Sequence, residues 1–277
     1  MNPQRLRERA AITRALRHWF DQHGYLEVHT PVIVDCPAME ENLEAVSVGS
    51  QFLHTIPEFA MKRVLSAGLC RIYQIGPCFR EEEVGVHHSR EFTMIEWYRV
   101  GAGTAELMDD VASLIAVAAA AVGQAVPTFA RRTVDDLREE AGLAETKDEV
   151  EWFRQWVERV EPQLVEPTIV YNYPTWQAAL ARERNGSADR FEVYLQGIEI
   201  ANCFAEEGSA DTLRERFKLS STRRNKMDRA PHPVDEALLQ ATPKMPRTAG
   251  IAMGLDRLVM ALTGSEDIAD TQVRTRN

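Results

Sequence analysis

The chain has 277 residues, 44% of them hydrophobic, enough to bury a sizeable core in one large domain or two small ones. Its 32 Lys and Arg against 42 Asp and Glu leave a formal charge of −10, which argues against nonspecific binding to nucleic acid or to anionic membranes. Cys36, Cys70, Cys78 and Cys203 show no metal-ligand spacing and read as free thiols in a reducing compartment.

The start is charged (Arg5, Arg7, Glu8, Arg9), unlike a signal peptide. Residues 4–23 read as a helix, because Ile12, Ala15, Leu16, Trp19 and Phe20 recur at helical spacing and Gly24 supplies a stop. Leu26 to Val34 reads as a strand carrying Thr30-Pro31. Pro57 opens a second helix with Met61, Val64 and Leu65 on one side. Residues 71–80 and 91–99 read as strands around a polar loop with Gly85, His87 and His88. A long helix is predicted over 104–122. Its apolar run, Val111 to Val122, is shorter than the ~20 residues a bilayer needs. The segment from about 127 to 170 is more charged and reads as a small helical insertion. Strand character returns over 190–204, a charged helix over 211–226, and a strand, a glycine and a helix over 247–263. Helices and mostly antiparallel strands mix without a βαβ rhythm, so the expected class is α+β. The expected setting is soluble and cytoplasmic, with no membrane contact.

Three constellations carry chemistry. In the first, Phe79-Arg80-Glu81-Glu82 precedes Phe92 to Tyr98. Strand alternation predicts that Arg80 and Glu82 share one face, as do Phe92, Met94, Glu96 and Tyr98. Taken alone, a solvated face with surface ion pairs fits this pattern equally well. In the second, the apolar parity of 191, 193 and 195 flips at 198 and 200, which predicts a two-residue turn at Gln196-Gly197. Glu192 and Glu199 then become diagonal neighbours on one face, a carboxylate pair suited to a Mg²⁺ that also binds phosphates. In the third, Leu255, Leu258, Val259 and Leu262 make a helical stripe that begins at Gly254. Arg257 lies in the first turn, where a cation opposes the helix dipole and calls for a partner.

In this order, and with Gly24 to Pro31 added, these segments resemble motifs 1 to 3 of class II aminoacyl-tRNA synthetases. Thr55-x-Pro57-Glu58 and Gly197-x-Glu199-Ile200-x-Asn202 are similar to the strings of the lysyl branch. Motif 1 begins near the first residue, so the β-barrel that reads the anticodon is expected to be missing. The resemblance is then to truncated lysyl-synthetase paralogues that ligate lysine or (R)-β-lysine to elongation factor P, and Ala252 agrees with that branch.

The resemblance implies a class II catalytic core over 1–277, an antiparallel sheet flanked by helices, probed by no tRNA anticodon and working as a homodimer. It implies ATP and Mg²⁺ as cofactors, an acyl-adenylate intermediate, a small amino acid as substrate and elongation factor P as acceptor. By resemblance, Arg80 and Arg257 are the catalytic pair. ATP falls to Arg80, Glu81, Glu82, His88, Ser89, Phe92, Glu199, Ile200, Gly254 and Arg257, with Glu82 on the adenine amino group and Phe92 and Arg257 about its ring. Ile56, Pro57, Glu58, Tyr98, Asn202, Phe204, Glu206 and Ala252 surround the substrate, and Glu192 and Glu199 hold the metal.

The sequence departs from the family pattern at Ile56, Glu81, Ser89, Arg90, Cys203 and Ala205. Strict alternation across Cys203 would put Asn202 and Phe204 on the face opposite Glu199. These departures are expected to cluster around the amino-acid pocket. Two rivals follow: a free-standing enzyme for another amino acid and acceptor, and a catalytically silent nucleotide-binding module. The basic cluster Arg223, Arg224, Lys226 and Arg229 reads more simply as a solvated helix end than as a site for an acidic partner.

Overall fold

A computed structural model describes residues 2–146 and 148–273. The ends of the expected 1–277 span, and Lys147 inside the 127–170 segment, lie outside the described residues. The first helix, α1, spans Pro3–Gln22. The Asn2 side chain accepts from the amides of Gln4 and Arg5, and Pro3 occupies a position whose N–H a helix does not need. Gly24, at φ +72°, turns the chain out of the helix.

The strand expected over 26–34 is instead two short ones, β1 (Leu26–Glu27) and β2 (Ile33–Val34), and they join different sheets. Pro31 lies between them and has no amide to donate to a ladder. Next come β3 (Ser47–Val48), β4 (Gln51–Leu53), α2 (Glu58–Ser66), β5 (Arg71–Phe79), β6 (Glu91–Val100) and α3 (Thr104–Ala121). The 127–170 segment is not wholly helical. It opens with β7 (Ala130–Thr133) and continues through α4 (Val134–Glu140) and α5 (Glu149–Gln155). The remaining elements are β8 (Thr168–Pro174), β9 (Glu183–Arg184), β10 (Ser187–Leu195), β11 (Ile198–Ala205), α6 (Ala210–Lys226), α7 (Glu236–Ala241), β12 (Thr248–Gly254) and α8 (Leu255–Thr263).

The large sheet runs β1-β5-β6-β12-β11-β10-β8-β7, with β9 beside β10, and β2-β4-β3 form a smaller sheet. Its outer pairs, β1 with β5 and β7 with β8, are parallel; the central pairs are antiparallel. The expected α+β class with an antiparallel sheet flanked by helices is what the chain adopts. One sheet face is covered by α1, α3 and α8. Leu16, Phe20, Leu114, Ala118, Leu258 and Val259 pack there against Ile95, Trp97, Phe191, Val193 and Ile251. Each large side chain so buried contributes about 1.5–3 kcal/mol, and the alanines let α3 approach the strands closely. Residues of the insertion (Val134, Leu137, Trp152, Trp156, Val160) form a satellite core against Val170, Tyr173 and Tyr194. The other face of the central strands is left to a cavity, rimmed by α2 and the loops before it. Among the described residues, no helix is long and apolar enough to cross a membrane.

Candidate active site

The cavity has a volume of about 370 Å³, and its floor is two rows of cross-strand partners. One row runs Glu96–Ala252–Asn202–Glu192 across β6, β12, β11 and β10; the next runs Tyr98–Gly250–Phe204–Arg190. Alternation puts both rows on one face, and Ile95 and Trp97 on the other. Gly250 is required where it stands. A Cβ there would lie 2.2 Å from the Tyr98 ring and 2.9 Å from a Glu206 oxygen.

The hairpin turns at Gln196 and Gly197, both with positive φ (54° and 75°), and pairs Leu195 with Ile198 and Tyr194 with Glu199, as predicted. The register then steps from Tyr194–Glu199 to Val193–Ala201, so Ile200 is a bulged residue. This corrects the expectation at Cys203. The irregularity sits three residues earlier, and it brings Asn202, Phe204 and Glu206 to the cavity side with Glu199. Cys203 and Ala205 face the opposite side and are fully buried. These two departures therefore do not line the cavity; Ile56 and Ser89 do.

At the open end, β5 stops at Phe79 and Glu81-Glu82 form a turn, so Arg80 and Glu82 do not share a strand face. Arg80 enters the cavity. It donates to Glu83 at 3.0 Å, and its guanidinium lies 5.0 Å from the Phe92 ring centre. Its Nε is buried without an acceptor. Glu82 points outward and pairs with Arg229 at 2.6 Å, while Glu81 pairs with Arg90. Neither lines the cavity, so in this structure the expected ATP contacts of Glu81 and Glu82 are not formed. Two departures from the family pattern, Glu81 and Arg90, thus satisfy each other. Pro57 is also outside the lining; it is buried as the N-cap of α2.

Gly254 ends β12 and α8 starts at Leu255, as the stripe predicted. Arg257 has the partners its position called for. It donates to the Glu199 carbonyl at 2.9 Å, to the His87 carbonyl at 3.2 Å and to His88 Nε2 at 2.7 Å. Burial and then the Arg257 charge lower the His88 pKa, so its ring is neutral and can accept. Asp256 is buried beside Arg257. It accepts from the Thr93 amide at 2.6 Å and pairs with Arg9, which ties the start of α8 to β6 and α1.

Glu192 and Glu199 sit on the same face. Arg190 pairs with Glu192, and the Tyr173 and Tyr194 hydroxyls donate to it at 2.6 and 2.7 Å. Burial, and then the Glu192 charge, push Glu199 up to about 7. A carboxylate pair in that state fits a divalent cation, and Mg²⁺ commonly takes one or two carboxylates with the rest from phosphates and water. No group of three or more metal-capable side chains occurs among the described residues.

The closed end is acidic. Glu58, Glu96 and Glu206 are buried there with Tyr98, whose hydroxyl donates to Glu96 at 2.6 Å. Lys62 is buried between Glu58 and Glu206, 2.6 Å from each. Burial pushes Glu206 up to about 7 against the pull of Lys62, and burial raises Glu96 well above the usual carboxylate range. Burial alone would lower Lys62; Glu206 and Glu58 more than reverse that.

The structure thus brings Ile56, Glu58, Arg80, His88, Ser89, Phe92, Tyr98, Glu192, Glu199, Ile200, Asn202, Phe204, Glu206, Ala252, Gly254 and Arg257 into one cavity. Site reading by motif missed Glu40, Glu83, Arg190, Lys62 and Gly250. Glu96 was legible from alternation, because it shares parity with Phe92, Met94 and Tyr98. Lys62 also carried a signal: it stands one helical turn after Glu58. The basic cluster is mostly spent within the chain. Arg224 is buried on the Leu43 carbonyl and Glu44, Arg223 pairs with Glu41 and Glu149, and Arg229 with Glu82.

An antiparallel sheet with helices on one face, and a charged cavity between a motif-like loop and the start of a helix on the other, defines the catalytic fold of class II synthetases. The family model for class II tRNA synthetases (D, K and N) matches residues 2–276, and the chain belongs to that family. It is an ATP-dependent ligase of the class II synthetase type. It is 34% identical, over 96% of its length and 93% of the relative's, to the elongation factor P--(R)-beta-lysine ligase of Photorhabdus laumondii. Identity to the enzyme of that name from Yersinia enterocolitica is 35% over the same shares. A homologue of that ligase from Aquifex aeolicus is 34% identical over 91% of this chain and 93% of its own.

Proposed function

We propose that the chain activates a diamino acid, lysine or (R)-β-lysine, with ATP and Mg²⁺ and transfers the acyl group to a lysine side chain of elongation factor P. The observation that carries this is one cavity with an arginine at its open end and three buried carboxyl groups at its closed end. The names of the relatives support the acceptor. In the first step a substrate carboxylate oxygen attacks the α-phosphorus, the bond to the bridging oxygen breaks, and pyrophosphate leaves. In the second an acceptor amine attacks the acyl carbon, AMP leaves, and the amine loses a proton.

Arg80 offers a fixed guanidinium to the substrate carboxylate and α-phosphate, and its free Nε supports that role. Arg257 adds positive charge at the phosphates and a flat surface for the base, with Phe92 across the cavity. Glu192 and Glu199 would hold Mg²⁺, which neutralises phosphate charge. Glu96, Glu206 and Asn202 meet the distal ammonium, because a buried ammonium needs acceptors. Glu40 lines the cavity near Arg80, where an amine next to the carboxylate would come. The same reading includes a cytoplasmic homodimer; Leu26 is exposed in the motif 1 region.

Amino-acid-dependent exchange of pyrophosphate into ATP tests the first step. Exchange is expected with lysine or β-lysine and not with leucine. Exchange with a non-cationic acid alone would select the free-standing rival, and none with any acid the silent module.

A further inference from the structure

The closed end of the cavity already holds a cation. Lys62 is 3% exposed, lies on α2 one turn after Glu58, and donates to Glu58 at 2.6 Å. Its Nζ is also 2.6 Å from Glu206 Oε2, at an angle too poor for a directed hydrogen bond. Glu206 Oε2 is therefore held mainly by the Lys62 charge. Two buried acceptors on this floor lack a donor, Glu96 Oε2 and Asn202 Oδ1. Glu96 and Asn202 flank Ala252 on either side. These two acceptors need donors from whatever fills the cavity, since a buried acceptor left without one costs about 1–3 kcal/mol. They mark the place of a ligand with several N–H groups.

The charges decide how many such groups fit. Glu58, Glu96 and Glu206 face Lys62, so the closed end can balance one resident ammonium and one arriving ammonium, with the Glu96 carboxyl kept neutral by its burial and by the neighbouring Glu58 charge. Without Lys62 the same acids would need two arriving cations. Glu58, the acid of the family motif, is already taken by Lys62.

We infer that Lys62 is a specificity-determining residue: a resident ammonium that occupies Glu58, orients Glu206, and limits the closed end to a single substrate ammonium held by Glu96, Glu206 and Asn202. This rests on the proposed activation of a cationic amino acid. The role is one of positioning, since Lys62 touches the acids and not the reacting carboxylate. It also distinguishes two acids that look alike in sequence. Glu206 meets the substrate, whereas Glu58 acts through Lys62.

The test compares Lys62→Met with the double variant Glu58→Gln/Lys62→Met, using pyrophosphate exchange and thermal unfolding. Methylammonium chloride is the probe, and sodium chloride at equal ionic strength the control. K62M leaves two acids short of a cation. Its KM for the diamino acid should rise at least tenfold while kcat changes less, and methylammonium, not sodium, should lower that KM and raise the melting temperature. The double variant removes one acid together with the ammonium. It should have a KM at least threefold below that of K62M and should not respond to methylammonium. An unchanged KM in K62M, a folded K62M indifferent to methylammonium, or a double variant as impaired as K62M overturns the inference. A K62M that folds only with methylammonium supports it. If the wild-type chain shows no exchange with any diamino acid, the proposed function fails, yet the methylammonium-dependent melting of K62M against the double variant still decides the role of Lys62.

Discussion

At the scale of single residues, the cavity depends on side chains that have no spare room and few spare partners. Arg257 engages two backbone carbonyls and His88, so its guanidinium is held in place before any ligand arrives. Such preorganised charge supports phosphate chemistry more than a mobile lysine would. Arg257→Ala is expected to lower pyrophosphate exchange by about 10²-fold or more, with an unchanged far-ultraviolet spectrum. An active, folded variant would sink the nucleotide role. Gly250 is the second such residue. Gly250→Ala drives a methyl into Tyr98, which cannot retreat because Met61, Leu65 and Ile72 pack around it. Overpacking of this kind costs about 1–3 kcal/mol. The expected result is a lower melting temperature together with a raised amino-acid KM, and a variant that moves neither would show that the ring can shift freely.

At the scale of elements, one extra residue in β11 assembles the substrate half of the site. The bulge at Ile200 changes which face Asn202, Phe204 and Glu206 share with Glu199. Deleting Ile200 restores strict alternation between the turn and Asn202. Either the metal pair or the amine acceptors must then leave the cavity, so exchange should be abolished while most helix content remains. Exchange above about a tenth of wild type in a folded deletion variant would contradict this account of the bulge. The loop before α2 is held in a comparable way. Arg224 on α6 takes the carbonyls of Glu41, Leu43 and Ala230 and the Glu44 carboxylate, and so ties down the loop that carries Glu40.

At the scale of the whole molecule, the closed end ties folding to pH. Glu206 titrates at about 7 when folded, against an ordinary 4.5. Between those values the folded state keeps a proton that the unfolded chain has released. The stability from this group is therefore full below about pH 4.5 and is lost as pH rises through about 7. The ligand-free melting temperature should fall by a few °C over that window, with Glu199 contributing over the same range, and Glu206→Gln should reduce the fall; an unaltered slope in that variant would place the effect elsewhere. A bound ammonium should reverse the trend, because it stabilises the charged form.

Much of this was legible in the amino-acid order. Alternation along 91–99 separated the cavity face of β6 from its core face. The parity flip located the turn at Gln196-Gly197, and the stripe after Gly254 located α8. These signals are local: a period and a turn residue suffice for them. The destinations of Glu81 and Glu82, the bulge at Ile200 and the pairing of Lys62 with Glu206 were not. Glu82 turns outward because β5 stops at Phe79 and Arg229 waits more than a hundred residues along the chain. Ile200 bulges because two neighbouring strands impose their registers on β11. Lys62 and Glu206 meet only when α2 closes over the sheet. By itself the sequence determined the family of the chain, most of its elements, and the faces of β6 and of the hairpin up to its turn. The tertiary structure decided which carboxylates face one another and which already have a cation, because charge pairing depends on distances that no local pattern encodes.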